Sequence, residues 1–369
     1  MILTGILLGP YALDLIDGSI LGISAELRKI ALIIILMRAG LSLDVDDLKR
    51  VGRPAVLMCF VPACFEILGM LVLAPRLLGI TVLEAAIMGS VVAAAVIVPK
   101  MIRLMEEGYG TDNSIPQLIL AGASVDDVFV IVLFSAFTGL AQGGRVSPVS
   151  FVQIPGSILA GILIGCGAGV LLALYFKQVH IRDTVKVIIL LCISFILVTL
   201  EDSLKGAFTF SSLISVMCMG ISLQKRRGPV AMRLSVKFNK LWVGAEILLF
   251  VLVGATVDVS YAVSAGAAVI LLILGVLVFR MAGVMCCLVR TRLSLKERLF
   301  CMVAYMPKAT VQAAIGGVPL SMGLACGNIV LTVAVLSILI KAPLGAFLID
   351  LTYQRWLTCE THGAEPGRP

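Results

Sequence analysis

Charge is what this chain has least of. Asp, Glu, Lys and Arg make up 14% of its 369 residues against 60% hydrophobic ones, and the mean hydropathy is +1.10, which excludes a sizeable soluble domain. Histidine is scarcer still: His180 and His362 are the only two, neither lies in an apolar run, and a solvated surface role is the default for each. The ten cysteines stand singly apart from Cys286-Cys287, with no C-x-x-C spacing and no Cys/His cluster, so a disulfide framework or zinc site is excluded and they read as small buried apolar residues. No G-x-x-x-x-G-K run is present, which points to an ion gradient rather than ATP as the driving force. No charged segment precedes the apolar start Met1-Ile-Leu-Thr-Gly, so the start is not a cleavable signal peptide. The first apolar segment reads as curtailed, as though a helix ahead of it were missing.

What is present is a succession of apolar runs near bilayer length. Twelve spans are expected, at about 1–16, 27–43, 54–75, 81–105, 116–141, 151–176, 184–200, 207–223, 236–257, 261–289, 297–318 and 326–352, giving an all-α polytopic membrane protein. The net charge of +7 could suggest nucleic acid, but the basic residues sit in short loops. Loops after even-numbered spans, with the adjoining span ends, hold eighteen Lys/Arg, and those after odd-numbered spans hold five, Arg28, Lys29, Arg76, Arg145 and Lys205. By the positive-inside rule the even loops and both termini are cytoplasmic. The expected location is a bacterial inner membrane, with lipid as partner and no nucleic acid.

Against this apolar background a few charges stand out. Asp126 and Asp127 interrupt the run Ile119 to Phe137, and a carboxylate at bilayer depth costs roughly 2.5–3.5 kcal/mol even on lenient scales. Asp126 is ten residues past Pro116, Lys308 ten past Arg298, and Arg280 ten before Arg290. At about 1.5 Å per residue each lies roughly 15 Å from the cytoplasmic face, and Glu66 falls at a similar level. Charges sharing the midplane are expected to pair around a polar site. Two spans look broken at that level, at Ala93–Pro99 and at Tyr305-Met306-Pro307-Lys308, since proline removes a donor and clashes with the preceding turn. Spans three and ten, four and eleven, and five and twelve are each seven apart, which is the offset of an inverted repeat with two discontinuous helices crossing at a central site.

The runs Arg38-Ala-Gly-Leu-Ser-Leu-Asp44, Gly122-Ala-Ser-Val-Asp-Asp-Val128 and Met306-Pro-Lys-Ala-Thr-Val-Gln-Ala-Ala-Ile-Gly316 resemble the cation:proton antiporter superfamily, in particular its NHA-type sodium/proton antiporters, over nearly the whole chain. The resemblance implies a homodimer of single transporter domains. In each, core helices at approximately 54–141 and 261–352 would carry the ion in an elevator-like movement against dimerisation and linker helices. It implies that Asp127 binds the cation, that Asp126 pairs with Lys308, and that Glu66 and Arg280 form a second core pair. Relatives carry a Ser-Pro or Thr-Asp/Pro element in the first crossing helix, where this chain has Ala93-Ala94.

The chemistry also follows from the residue types. Na⁺ is a hard cation that takes several oxygens, which a carboxylate and the carbonyls freed by a helix break supply. Ser124, three residues before Asp127 on the same helical face, and Thr310, just past the second break, are auxiliary ligand candidates. The bland reading for Ser124, a bond to a backbone carbonyl, has equal weight. A carboxylate at this depth holds a proton or a cation but not readily both, so competition at one site opened alternately to each side gives antiport of Na⁺ (or Li⁺) for H⁺. No cofactor is expected beyond the transported ions. K⁺/H⁺ exchange and organic-anion uptake stay open within transporters. A channel would need a continuous polar pore, and an intramembrane aspartyl protease would need two facing carboxylates, whereas neighbours on one helix diverge by about 100°. Arg38 and Glu246 also fall within spans. Both read as structural, Glu246 with no evident partner.

Overall fold

The computed structural model describes residues 1–42, 52–93, 98–142, 148–179, 181–204, 210–257, 259–307 and 309–359, without the side chains of a few helical residues, Pro99 and Ser124 among them. Apart from one bridge between Tyr109 and Cys359, the regular structure among the described residues is helical. Hydrocarbon offers backbone groups no water, and a helix pairs them within its own segment.

In chain order the helices are α1 (Ile2–Leu8), α2 (Gly18–Gly22), α3 (Ser24–Ser42), α4 (Arg53–Met58), α5 (Val61–Leu78), α6 (Val82–Val92), α7 (Val98–Glu106), α8 (Ile115–Gln142), α9 (Pro148–Gln178), α10 (Asp183–Ser203), α11 (Ser212–Arg226), α12 (Gly228–Ala255), α13 (Val259–Leu288), α14 (Leu295–Ala304), α15 (Thr310–Gly316), α16 (Val318–Ser321) and α17 (Gly327–Trp356). Among the described residues, seven helical segments are long and apolar enough to cross a bilayer unaided, and α6 is a shorter apolar helix. The other expected spans are short, broken or charged, so helix length alone does not set the count at twelve.

Three expected spans differ from their single-helix reading, the tenth because α13 is kinked at Gly266, whose backbone is not helical. The first ends as a helix at Leu8, because Gly9-Pro10 follows and proline has no N–H to continue the ladder. The third is two helices, α4 and α5, joined at Cys59-Phe60; Pro62 sits in the first turn of α5, where its missing donor costs nothing.

The fourth and eleventh spans are broken as expected, and both open on the same device. Thr81 Oγ1 accepts from the Glu84 N–H while the Glu84 carboxylate accepts from the Thr81 N–H, and Ser294 with Glu297 repeats this at the start of α14. Such capping boxes satisfy two orphan donors apiece. Each first half then ends part-way along its expected span, α6 at Val92 and α14 at Ala304. The second halves are α7 and α15. Pro99 is not itself the interruption: it is the second residue of α7, and the break lies ahead of it.

The helices fall into two groups. α4–α8 and α13–α17 pack on one another, with α5 against α13 the most extensive pair, while α1, α3 and α9–α12 form a second group. Glycines set the closest approaches. Gly161, Gly165 and Gly169 place every fourth residue of α9 against α11: a Cβ would lie 2.7 Å from Ser211 O, 2.7 Å from Ser215 Cα and 2.5 Å from Met219 O respectively. This is small-residue packing of the kind that drives helix association in lipid. Gly165→Val should therefore force α9 off α11 and lower stability by about 1–3 kcal/mol, read as a lower Tm in detergent. Gly167, which faces open space, should tolerate the same change.

Candidate functional site

Arg280, on α13, is 1% exposed and binds four acceptors from four segments. Its Nη1 donates to Glu66 Oε2 at 2.9 Å and to the Ala93 carbonyl at 3.0 Å. Its Nη2 donates to Asp126 Oδ2 at 2.9 Å, and its Nε to the Tyr305 carbonyl at 3.0 Å. On the far side of Glu66, Lys341 of α17 donates to Oε1 at 2.8 Å. Glu66, Asp126 and Lys341 are fully buried. Two carboxylates and two cations thus form one continuous network of balanced formal charge, the arrangement that makes charge tolerable where no water screens it.

The two carbonyls matter as much as the two carboxylates. Ala93 is the C-cap of α6 and Tyr305 the C-cap of α14. A helix C-terminus carries roughly half a negative charge on carbonyls that lack an intrahelical partner. One guanidinium therefore caps both broken helices while pairing with α5 and α8. Its planar fork of five N–H donors suits this, and an ammonium group would not. The Tyr305 ring lies 5.4 Å from the guanidinium carbon, a cation–π contact on the same group. On α8 there is no room beside this ring: a Cβ at Gly122, one turn before Asp126, would lie 2.9 Å from Met58 Cβ and overlap the Tyr305 hydroxyl.

Of the residues singled out from sequence, Glu66, Asp126 and Arg280 come together directly. Asp127 follows Asp126 on α8 but points elsewhere and is partly exposed where Asp126 is not, as the 100° rotation per residue requires. Thr310 is buried as the first residue of α15. Pro307 lies in the break between α14 and α15, its ring against Gly345 of α17. Lys308, Ala94, His180 and His362 lie outside the described residues, as does the Ser124 side chain.

The Glu66–Arg280 pair that the resemblance implies is present, and the same guanidinium also donates to Asp126. Lys341 was missed, although a lone lysine in the apolar run Leu336 to Leu348 carries the same signal that singled out Arg280. Gln312 was missed as a polar group too: it is fully buried on α15, its Nε2 donates to the Ala334 carbonyl at 3.0 Å, and its Oε1 has no hydrogen-bond partner among the described residues. Glu246, read as having no evident partner, interacts electrostatically with Arg38 across the α3–α12 contact.

A broken-helix pair clamped at its breaks by buried charge limits the folds to compare. Residues 1–351 match the family model described as sodium/hydrogen exchanger, transmembrane. The chain belongs to the sodium/hydrogen exchanger family. Among curated members, sodium/hydrogen exchanger 9B2 of Mus musculus is 33% identical over 367 residues, covering 93% of this chain and 64% of its own. The 9B2 protein of Xenopus tropicalis is 32% identical over 358 residues, covering 90% and 64%. The chain spans about 64% of the length of these relatives. Among solved structures, the sodium proton antiporter MjNhaP1 from Methanocaldococcus jannaschii superposes with a TM-score of 0.83 at 20% identity, over 96% of this chain and 91% of that one. The likeness shows that this exchanger-family chain has the antiporter fold, an all-α polytopic membrane protein with an inverted repeat.

Proposed function

We propose that the chain is a secondary active antiporter exchanging Na⁺ or Li⁺ for H⁺ by alternating access, with Asp127 as the carboxylate for which cation and proton compete. The observation that carries this reading is the division of labour between neighbouring aspartates. Asp126 is fully buried on Arg280, while Asp127, one residue on, keeps the partial exposure that an exchangeable ion requires. Thr310, Ser124 and the Gln312 Oε1 are oxygens for the cation's shell, the hard-donor set that Na⁺ prefers. Asp126 exchanging partners between Arg280 and Lys308 would give the cycle an electrostatic trigger. The names of the relatives and the family match support the ion pair.

The group of α4–α8 and α13–α17 is the moving core in this reading, and the group of α1, α3 and α9–α12 supplies the static wall and the homodimer contact. The uneven distribution of Lys and Arg between alternate loops supports cytoplasmic termini in a bacterial inner membrane.

Proteoliposome transport with Na⁺, Li⁺ and K⁺ in turn, reading internal pH together with membrane potential, tests the proposal. Na⁺ or Li⁺ gradients should move protons the opposite way, and K⁺ should be ineffective. Cation flux without counter-movement of protons would mean a channel. Proton movement driven equally by K⁺ would mean a K⁺/H⁺ exchanger.

A further inference from the structure

Away from the Arg280 network, α3, α8, α10 and α11, the α15–α16 corner and Ser157 of α9 line a cavity of about 540 Å³. It lies at the end of α8 remote from Ile115, beyond Asp127, on the side of the odd-numbered loops. Its walls belong to both helix groups: α8 and the α15–α16 corner on one side, α3, α9, α10 and α11 on the other.

The polar groups in these walls are unevenly matched. The two acids are engaged: the Glu201 carboxylate accepts from the Ser212 N–H at 2.9 Å and from the Ser212 hydroxyl, and Glu26 pairs with Lys29 at 3.3 Å. Two donors are not. Arg28 is 7% exposed, its Nε donates to the Ser24 carbonyl at 3.3 Å, and its Nη1 is buried without a hydrogen-bond partner among the described residues. The Ser135 hydroxyl is likewise buried and without a partner among the described residues. A buried cation and a buried hydroxyl lacking acceptors are costly unless something supplies oxygen. The rest of the wall carries the hydroxyls of Thr138, Ser157, Ser211 and Ser321 beside an apolar stretch of Leu32, Ile33, Phe134, Val198 and Leu213. The volume lies in the range that holds a drug-sized molecule, far beyond a single inorganic anion.

We infer that this cavity binds an amphiphile through an oxyanion head, with the head on Arg28 and Ser135 and the chain against the apolar wall. An occupant touches both helix groups and so clamps them together. The shared chemistry is a carboxylate or phosphate on an alkyl chain, whether from a free fatty acid or from an acidic lipid. Binding itself does not depend on the antiport reading; the clamping of a moving core against a static wall does.

Native protein in nanodiscs of zwitterionic lipid should gain thermal stability saturably with dodecanoate or dodecyl phosphate, and not with dodecanol or acetate. Arg28→Gln should weaken the apparent affinity at least tenfold. Ser135→Ala, which deletes a hydroxyl that bonds no described residue and so leaves the fold intact, should weaken it several-fold. A lysophospholipid with an acidic head, compared with dodecanoate, tells the lipid source from the free acid, and tighter binding of either supports the site. Asp127→Asn should show the full shift, which separates this site from the transport reading. Equal shifts with dodecanol, or shifts unchanged in both Arg28→Gln and Ser135→Ala, would mean partitioning at the lipid-facing surface and overturn the inference. Saturation by acetate at the same affinity would make it a small-anion site and overturn it also.

Discussion

Asp127→Asn protein should fold like the native chain and move no protons in response to Na⁺. The substitution is nearly isosteric and sits at a partly exposed position, outside the Arg280 network, so the melting temperature should stay close to native. What is lost is the negative charge that both a cation and a proton neutralise. In the native chain the same competition has a pH signature. Apparent Na⁺ affinity should fall as protons are added, approaching about tenfold per pH unit for each competing proton once pH is well below the carboxylate's midpoint. Measuring the apparent Na⁺ constant between about pH 6 and about pH 9 reads this dependence directly. Removing both histidines, His180→Ala with His362→Ala, should leave that dependence in place. Retained exchange in Asp127→Asn, or a flat native profile, would sink the assignment of Asp127.

Arg280→Met should have the largest effect on stability. It leaves the Asp126 carboxylate and one oxygen of Glu66 without their cation, and the carbonyl ends of α6 and α14 without their cap. Breaking a buried pair by removing one partner costs on the order of 3–5 kcal/mol, and here one side chain serves two pairs. Arg280→Lys should recover little, because one ammonium group cannot reach four acceptors spread around a planar fork. The decisive measurement is a cycle: adding Asp126→Asn to Arg280→Met removes one stranded charge, so the combined loss should be smaller than the sum of the single losses. Strict additivity would mean that the two side chains contribute independently. Lys341→Met should be milder than Arg280→Met, since Glu66 keeps its bond to Arg280.

How much of this was legible depends on which coordinate is asked for. Depth in the membrane is written along the chain, because a helix rises a constant distance per residue. Counting from Pro116 and Arg290 accordingly placed Asp126 and Arg280 at one level, and helical segments or broken pairs coincide with the expected runs from the second to the twelfth. The interruptions after α6 and α14 were signalled by Pro99 and Pro307 near the middle of apolar runs, although Pro99 itself lies inside α7. Capping boxes at Thr81 and Ser294 were there to be read, and their repetition at the start of both broken spans is a local sign of the repeat.

Azimuth and partner choice were not legible. Glu66 meets Lys341 across 275 residues and Arg280 across 214, and no periodicity within one span says which neighbour its polar face will meet. That Arg280 would be shared by two carboxylates, and would cap two helices besides, follows from where α6 and α14 end relative to α13. The cavity beside Arg28 is likewise a property of six segments at once. By itself the sequence determined the membrane class, the apolar segments, the level of the charged residues and the two breaks, because hydrophobicity and helical rise are local and additive. Only the tertiary structure decided which acid takes which base, since pairing is set by the packing of helices distant in sequence.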